Sequence, residues 1–234
     1  MLNSKYIDTT STHAYVILGS LFTGSVVAAN LIGIKVIPFV QIGSFELSGS
    51  VGILLFPLSF LVTDIIAEVY GPRTTRALVA GTLVVLVLVL AVTALATVLP
   101  PAGRFAELND AYTTVFRSTL RILIASIIAF AISQFHDVWA FSFWKKRTQG
   151  RFLWLRNNLS TIVSQGLDTV VFMLIAFWGV SDRFTLAYVL GSMVPPYYLL
   201  KILAAFFDTP LVYLGVWALR RGGVAVDELR PEAV

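Results

Sequence analysis

The sequence predicts an all-α, polytopic membrane protein with six transmembrane helices and both termini in the cytoplasm, and three observations predict it. The 234 residues are 57% hydrophobic and 13% charged, with a mean hydropathy of +0.84, where soluble domains carry about 25% charged residues. Several apolar runs reach the ~20 residues that cross a hydrocarbon core. The basic residues cluster in alternate loops, as the positive-inside rule requires. A membrane barrel would need alternating strands of ~10 residues, and runs such as Leu83–Ala91 do not alternate. The whole chain, residues 1–234, reads as one membrane domain.

The elements follow in order. Met1–Thr12 is polar and reads as a short cytoplasmic tail, with no cleavable signal evident. The first span runs from about Ala14 to Ile34 and carries Gly19, Gly24, Ala28 and Ala29, small residues that admit a close helix. Asn30, in its last turn, suits either an interhelical hydrogen bond or a ligand contact. Val36–Val40 and Ser44–Leu47 suggest a small outer hairpin. The second span, about Gly52 to Tyr70, contains Pro57, where a kink is expected, and ends at Gly71-Pro-Arg. The third, about Thr74 to Leu99, has no ionisable group after Arg76 and reads as a lipid-facing or scaffold helix.

Pro100-Pro101 stops the third span, and Ala102–Arg117 reads as a polar outer loop, with room for a short helix. The fourth span, about Leu120 to Trp144, closes with Gln134, His136, Asp137, Trp139, Phe141 and Trp144 before a basic loop. The fifth, about Leu159 to Val180, carries Ser160, Ser164 and Asp168 every four residues, with Gln165 and Thr169 beside them. This is a polar stripe on an apolar helix, and Arg156 extends it. Thr185–Leu219 is too long for one straight span. Pro195-Pro196 divides it into a short entry segment and a sixth span from about Pro196 to Leu219, the alternative being two complete spans. Charge counting favours one span: 11 of the 17 basic residues then fall in alternate loops on one side and 5 on the other, with Lys201 inside a span.

Six ionisable groups lie within these spans: Asp64, Glu68, Asp137, Asp168, Lys201 and Asp208. At ~3 kcal/mol each they would cost ~18 kcal/mol if they faced lipid, more than the ~5–15 kcal/mol stability of a domain. They must therefore face the bundle interior, one another or water, and a polar cavity among the second, fourth, fifth and sixth spans is expected. Structural roles compete with functional ones. Glu68 is near enough to a helix end to snorkel or to pair with Arg73 or Arg76; Asp208 before Thr209-Pro210 suits a cap at a break. His136 suits an interfacial position, and Lys201 suits neutralisation of a carboxylate on another helix. Asp64 and Asp168 have no basic neighbour within one turn. Gln134 and Gln165 serve equally as amide ligands or as contacts between helices.

Carboxylates, amides and the aromatics Trp139, Phe141, Trp178, Tyr197 and Tyr198 would together suit a flat, nitrogen-rich heterocycle. The two histidines, His13 and His136, lie far apart, no zinc-type spacing occurs, and there is no cysteine. No Walker pattern is present, so ATP hydrolysis by this chain is not expected. No cofactor is indicated, and the net charge of +4 reads as membrane orientation rather than a nucleic-acid surface.

Asn30…Lys35, the block from Phe56 through Thr63-Asp64, Glu68-Val-Tyr-Gly71, Ser133–Asp137, Arg156-Asn…Ser160…Ser164-Gln165…Asp168-Thr169, and Lys201…Pro210 together resemble the queuosine precursor transporter family, also called the vitamin uptake transporter family. The similarity covers nearly the whole chain. It implies a six-helix inner-membrane protein that imports deazaguanine precursors of a modified tRNA nucleoside, 7-cyano-7-deazaguanine and 7-aminomethyl-7-deazaguanine, for salvage, and no enzymatic activity. On that reading Asp64 or Asp168 accepts the guanine-like edge, and Gln134, Gln165 and Asn30 orient the ring. Glu68, Asp137 and Lys201 keep charge balance, and one carboxylate is available to carry a proton. The partners are the small-molecule substrate and the bilayer; a homo-oligomer is compatible with the sequence. The alternatives are a substrate-binding subunit energised by a separate complex, an intramembrane enzyme and a structural assembly protein.

Overall fold

The computed structural model describes residues 9–42, 45–222 and 224. The tail expected over Met1–Thr12 lies outside the described residues up to residue 8, as do the hairpin tip at 43–44 and the C-terminal stretch with Arg230. Six helices are long and apolar enough to cross a membrane. α1 spans Thr9–Ile32 and leads into an antiparallel hairpin of β1 (Val36–Ile42) and β2 (Phe45–Ser50), interrupted by a bulge between Pro38 and Val40. A 3-10 turn, Val51–Leu55, precedes α2 (Phe56–Val69), which is followed by α3 (Gly71–Ala96), α4 (Ala106–Arg147), α5 (Leu153–Phe177) and α6 (Val194–Arg221).

α2 is the centre of the bundle. It packs against α1, α3, α4 and α6, and ten of its fourteen residues are buried. Pro57 does not kink it. The proline occupies the first turn, just after the 3-10 turn, where a missing N–H is one of the unpaired donors in any case. At the far end Gly71 has φ +82, a conformation that side-chain-bearing residues resist, and the chain turns there directly into α3. α3 buries only Gly71, Thr75, Val79, Thr82, Leu86 and Thr93, an inward stripe at helical spacing. The rest is exposed or half-buried, with Leu78 and Leu83 packed against the core.

The largest departure from the sequence reading is α4. Ala102–Arg117 is not a loop: a 3-10 turn at Gly103–Phe105 runs into a helix of 42 residues. At 1.5 Å per residue it is ~63 Å long, about twice a hydrocarbon core. Its polar first turns read as a loop because they lack apolar periodicity. Arg117 ties this part of α4 to the residue that caps α3, donating to the Thr97 carbonyl at 3.1 Å. Arg121 likewise reaches the carbonyls of Ile175 and Trp178 at the end of α5, at 2.9 and 3.0 Å.

The final region is one broken span, not two. A helical turn at Leu186–Tyr188 and a π-turn at Val189–Met193 form the entry segment, and Pro195-Pro196 opens α6 in its first turn. α6 continues past Pro210, so Asp208 is an interior position and not a cap at a break. The bundle thus has a hairpin end, where β1–β2, the α4 start and the entry segment gather. Its basic end holds the turn between α4 and α5.

Candidate functional site

All six intramembrane ionisable groups are buried in the bundle. They divide into an ion pair beside a cavity, a tether near the basic end, and three carboxylates between them.

Asp168 on α5 and Lys201 on α6 form a buried ion pair. The other oxygen of Asp168 accepts from the Ser133 hydroxyl of α4 at 3.2 Å. The Lys201 ammonium also lies over two rings, 4.7 Å from the centre of Phe56 and 5.5 Å from that of Tyr197, within cation–π range. Lys201 was expected to neutralise a carboxylate on another helix, and it does. The pair is not sealed off. Both residues line an open cavity of about 580 Å³, with Asn30, Ser50, Gly52, Phe56, Phe130, Phe172 and Tyr197 among its other walls.

Lys201 and Phe56 also border a second cavity, of about 270 Å³, lined by Thr161, Gln165 and Asp208. They thus stand as a partition between the two spaces. Asn30 uses its amide N–H within its own helix, donating to the Val26 carbonyl at 2.9 Å. It makes the contact expected of neither an interhelical bond nor a free ligand, although it lines the larger cavity. Serine at position 50 builds the wall opposite: its hydroxyl donates to the Gly33 carbonyl at 2.6 Å and accepts from the Gly52 N–H at 3.1 Å.

Glu68 does not pair with Arg73 or Arg76. It forms an ion pair with Arg156 of α5 and lies 3.5 Å from Lys145 of α4. Lys145 also donates to the Glu68 carbonyl at 3.2 Å. Arg156 is 1% exposed, donates to the Gly150 carbonyl at 2.9 Å and stacks over Phe141. This tether joins α2, α4, α5 and the basic turn.

Asp64, Asp137 and Asp208 lie on α2, α4 and α6. Asp137, Asp208 and Arg156 are ionisable neighbours of Asp64. Ser160 and Ser164 lie beside Asp137. Several buried polar atoms here have no hydrogen-bond partner: Oδ1 of Asp64 and of Asp137, both amide atoms of Gln134, Oγ1 of Thr161 and Oε1 of Gln165. Native interiors leave few such groups, and each calls for a ligand, a water or a strained role. His136 sits at the bundle margin, its Nδ1 3.0 Å from the Ser164 hydroxyl.

The aromatic reading needs correction. Trp139 and Trp178 are half exposed on the outer surface, Phe141 packs on Arg156, and the Tyr198 hydroxyl donates to the Ile162 carbonyl at 2.9 Å. Only Tyr197 of the five lines the larger cavity. Phe56, Phe130 and Phe172 line it too and escaped notice, because a phenylalanine in an apolar span carries no signal of which face it takes.

Six apolar helices that enclose ionisable side chains beside an open cavity define a multi-pass membrane protein with a polar interior. Residues 50–215 match the family model described as "Putative vitamin uptake transporter", and the chain belongs to that family. It is similar to the "Probable queuosine precursor transporter" of Bacillus subtilis, with 30% identity covering 80% of this chain and 78% of the relative. It is also similar to the "Queuosine precursor transporter" of Escherichia coli, with 27% identity over 68% of this chain and 69% of the relative. A third relative, the "Probable queuosine precursor transporter" of Haemophilus influenzae, is 29% identical over 60% of this chain and 57% of its own length. No solved structure matches the chain. The chain is therefore a multi-pass membrane protein with a transport role, of the inner membrane in bacteria.

Proposed function

We propose that this chain takes up a queuosine precursor, 7-cyano-7-deazaguanine or 7-aminomethyl-7-deazaguanine, and that the cavity beside Asp168 and Lys201 holds it. The names of three relatives support the substrate class. The observation that carries the site is the buried ion pair opening on a cavity that Asn30, Ser50, Phe56 and Tyr197 also line.

The chemistry is matched. A carboxylate has about four lone-pair sites, and Lys201 and Ser133 use two of those on Asp168. The remainder face a ring N–H and exocyclic amine, the donor edge of a deazaguanine. The Lys201 ammonium suits the ring carbonyl, and Phe56 and Tyr197 supply apolar faces for the flat ring. Gln165, across the partition, offers an unpartnered carbonyl oxygen to a solute passing inward. Glu68 is engaged by Arg156 and Lys145 and is assigned to the tether. The basic end faces the cytoplasm on this reading, with both termini on that side, so the solute enters from the hairpin end.

Uptake in cells unable to synthesise the precursor, read as queuosine in tRNA, tests the assignment together with binding to purified protein. Asp168→Asn is expected to lose both, because an amide cannot accept the paired donors while it also holds Lys201. Undiminished uptake and binding by Asp168→Asn at normal expression would remove the site.

A further inference from the structure

Buried charge in this bundle does not balance. Glu68 is matched by Arg156 and Lys145, and Asp168 by Lys201. Among the described residues Asp64, Asp137 and Asp208 have no basic group within 4.0 Å. The Ser160 hydroxyl donates to the Asn157 carbonyl at 3.2 Å, and the Ser164 hydroxyl to the Ser160 carbonyl at 2.8 Å. The two hydroxyls next to Asp137 are thus shared between that carboxylate and backbone carbonyls. Oδ1 of Asp64 and Oδ1 of Asp137 are buried with no donor.

A second observation is independent of the carboxylates. Thr161 and Gln165 are each at least nine-tenths buried, leave Oγ1 and Oε1 without partners, and line the same cavity as Asp208. Gln165 Oε1 and the Oδ1 atoms of Asp64 and Asp137 are acceptors without a donor, and an O–H on a carboxylic acid is a donor. Each ion taken from water costs several kcal/mol when unpaired, and carboxylates that share a dry region do not all ionise. Within the described residues no group of three or more Asp, Glu or His side chains is placed to hold a metal ion. A proton, which needs only one oxygen, fits where a metal ion does not.

The geometry points to a proton-binding site formed by Asp64, Asp137 and Asp208, which serves the transport cycle and rests on the uptake reading above. One carboxylate oxygen takes up H⁺ from the side of solute entry and releases that H⁺ to the other side. Only the O–H bond forms and breaks, and the carboxylate returns to its charged form. The other titratable groups on the elements packed around these carboxylates are Glu68 of α2, His136 and Lys145 of α4, Arg156 and Asp168 of α5, and Lys201 of α6. Arg73 and Arg76 of α3 are exposed at the basic end, and α1 brings Tyr15 against Tyr70.

Infrared spectroscopy of the purified full chain in nanodiscs tests this directly. At neutral pH a protonated-carboxyl C=O band is expected, and one or more of Asp64→Asn, Asp137→Asn and Asp208→Asn should lose it. Wild-type protein alone decides the matter if a variant does not fold: absence of the band at neutral pH overturns the proposal. In proteoliposomes, accumulation of 7-cyano-7-deazaguanine should follow an inward proton gradient, collapse with a protonophore and survive replacement of sodium by choline. Accumulation that follows sodium also overturns the proposal. If the liposomes stay empty while the band and its loss in the variants persist, the precursor assignment fails and the proton site stands.

Discussion

Lys201 has three neighbours that reward its charge, the Asp168 carboxylate and the Phe56 and Tyr197 rings. Removing one partner of a buried pair costs about 3–5 kcal/mol, because the other charge is left unpaired, whereas replacing both is often close to neutral. Lys201→Met alone should therefore lower the melting temperature in detergent, and Asp168→Asn/Lys201→Met should recover most of the loss. The double variant should still fail to bind the deazaguanine. A double variant as unstable as Lys201→Met would mean that the lysine acts through packing, and a double variant that binds would place the solute elsewhere. The sequence already showed that Asp168 and Lys201 could not face lipid and that the lysine should neutralise a carboxylate. It did not show which carboxylate, since that depends on how α5 and α6 are rotated about their axes. Asp64, equally hard to place in lipid, proves to have no such partner.

At the scale of elements, the joint between the hairpin, the 3-10 turn and α1 sets the cavity wall. A Cβ on Gly52 would lie 2.6 Å from the Ala29 carbonyl oxygen and 3.2 Å from the Ser50 hydroxyl oxygen. The first neighbour is backbone, so α1 itself would have to move. Gly52→Ala should destabilise by about 1–3 kcal/mol, as overpacking usually does. It should also weaken deazaguanine binding, because Ala29, Ser50 and Gly52 all line the larger cavity. Unchanged melting and binding would show that this contact does not hold the wall. The sequence revealed the hairpin and the small residues of α1, but not this close approach, which joins residues 23 positions apart. The α4 boundary was missed for a related reason. Its first three turns are polar and are held by Arg117 and Arg121 reaching carbonyls on α3 and α5, contacts that hydropathy does not register. The spans themselves were legible because a hydrocarbon core imposes their length and apolarity.

Across the whole molecule, the two ends differ in charge as well as shape. Lys145, Lys146, Arg147, Arg151 and Arg156 sit at or beside the α4–α5 turn, and Arg220 and Arg221 end α6 at the same end of the bundle. The hairpin end carries Lys35, Arg104, Arg117, Arg121 and Arg183, of which Arg117 and Arg121 are engaged by carbonyls. The positive-inside rule weighs Lys and Arg in short loops near the span ends, so the basic end should lie in the cytoplasm. The absence of cysteine makes the prediction clean to test, since any introduced thiol is the sole label. Arg151→Cys, exposed at the basic turn, should react with a membrane-impermeant maleimide only after the cells are opened. Ala102→Cys and Ser181→Cys, exposed at the hairpin end, should react on intact cells. The reverse pattern would invert the protein. Solute would then enter through the smaller cavity, past Gln165 and Asp208, before meeting Lys201, and the carboxylates would lie on the entry side of the ion pair rather than beyond it.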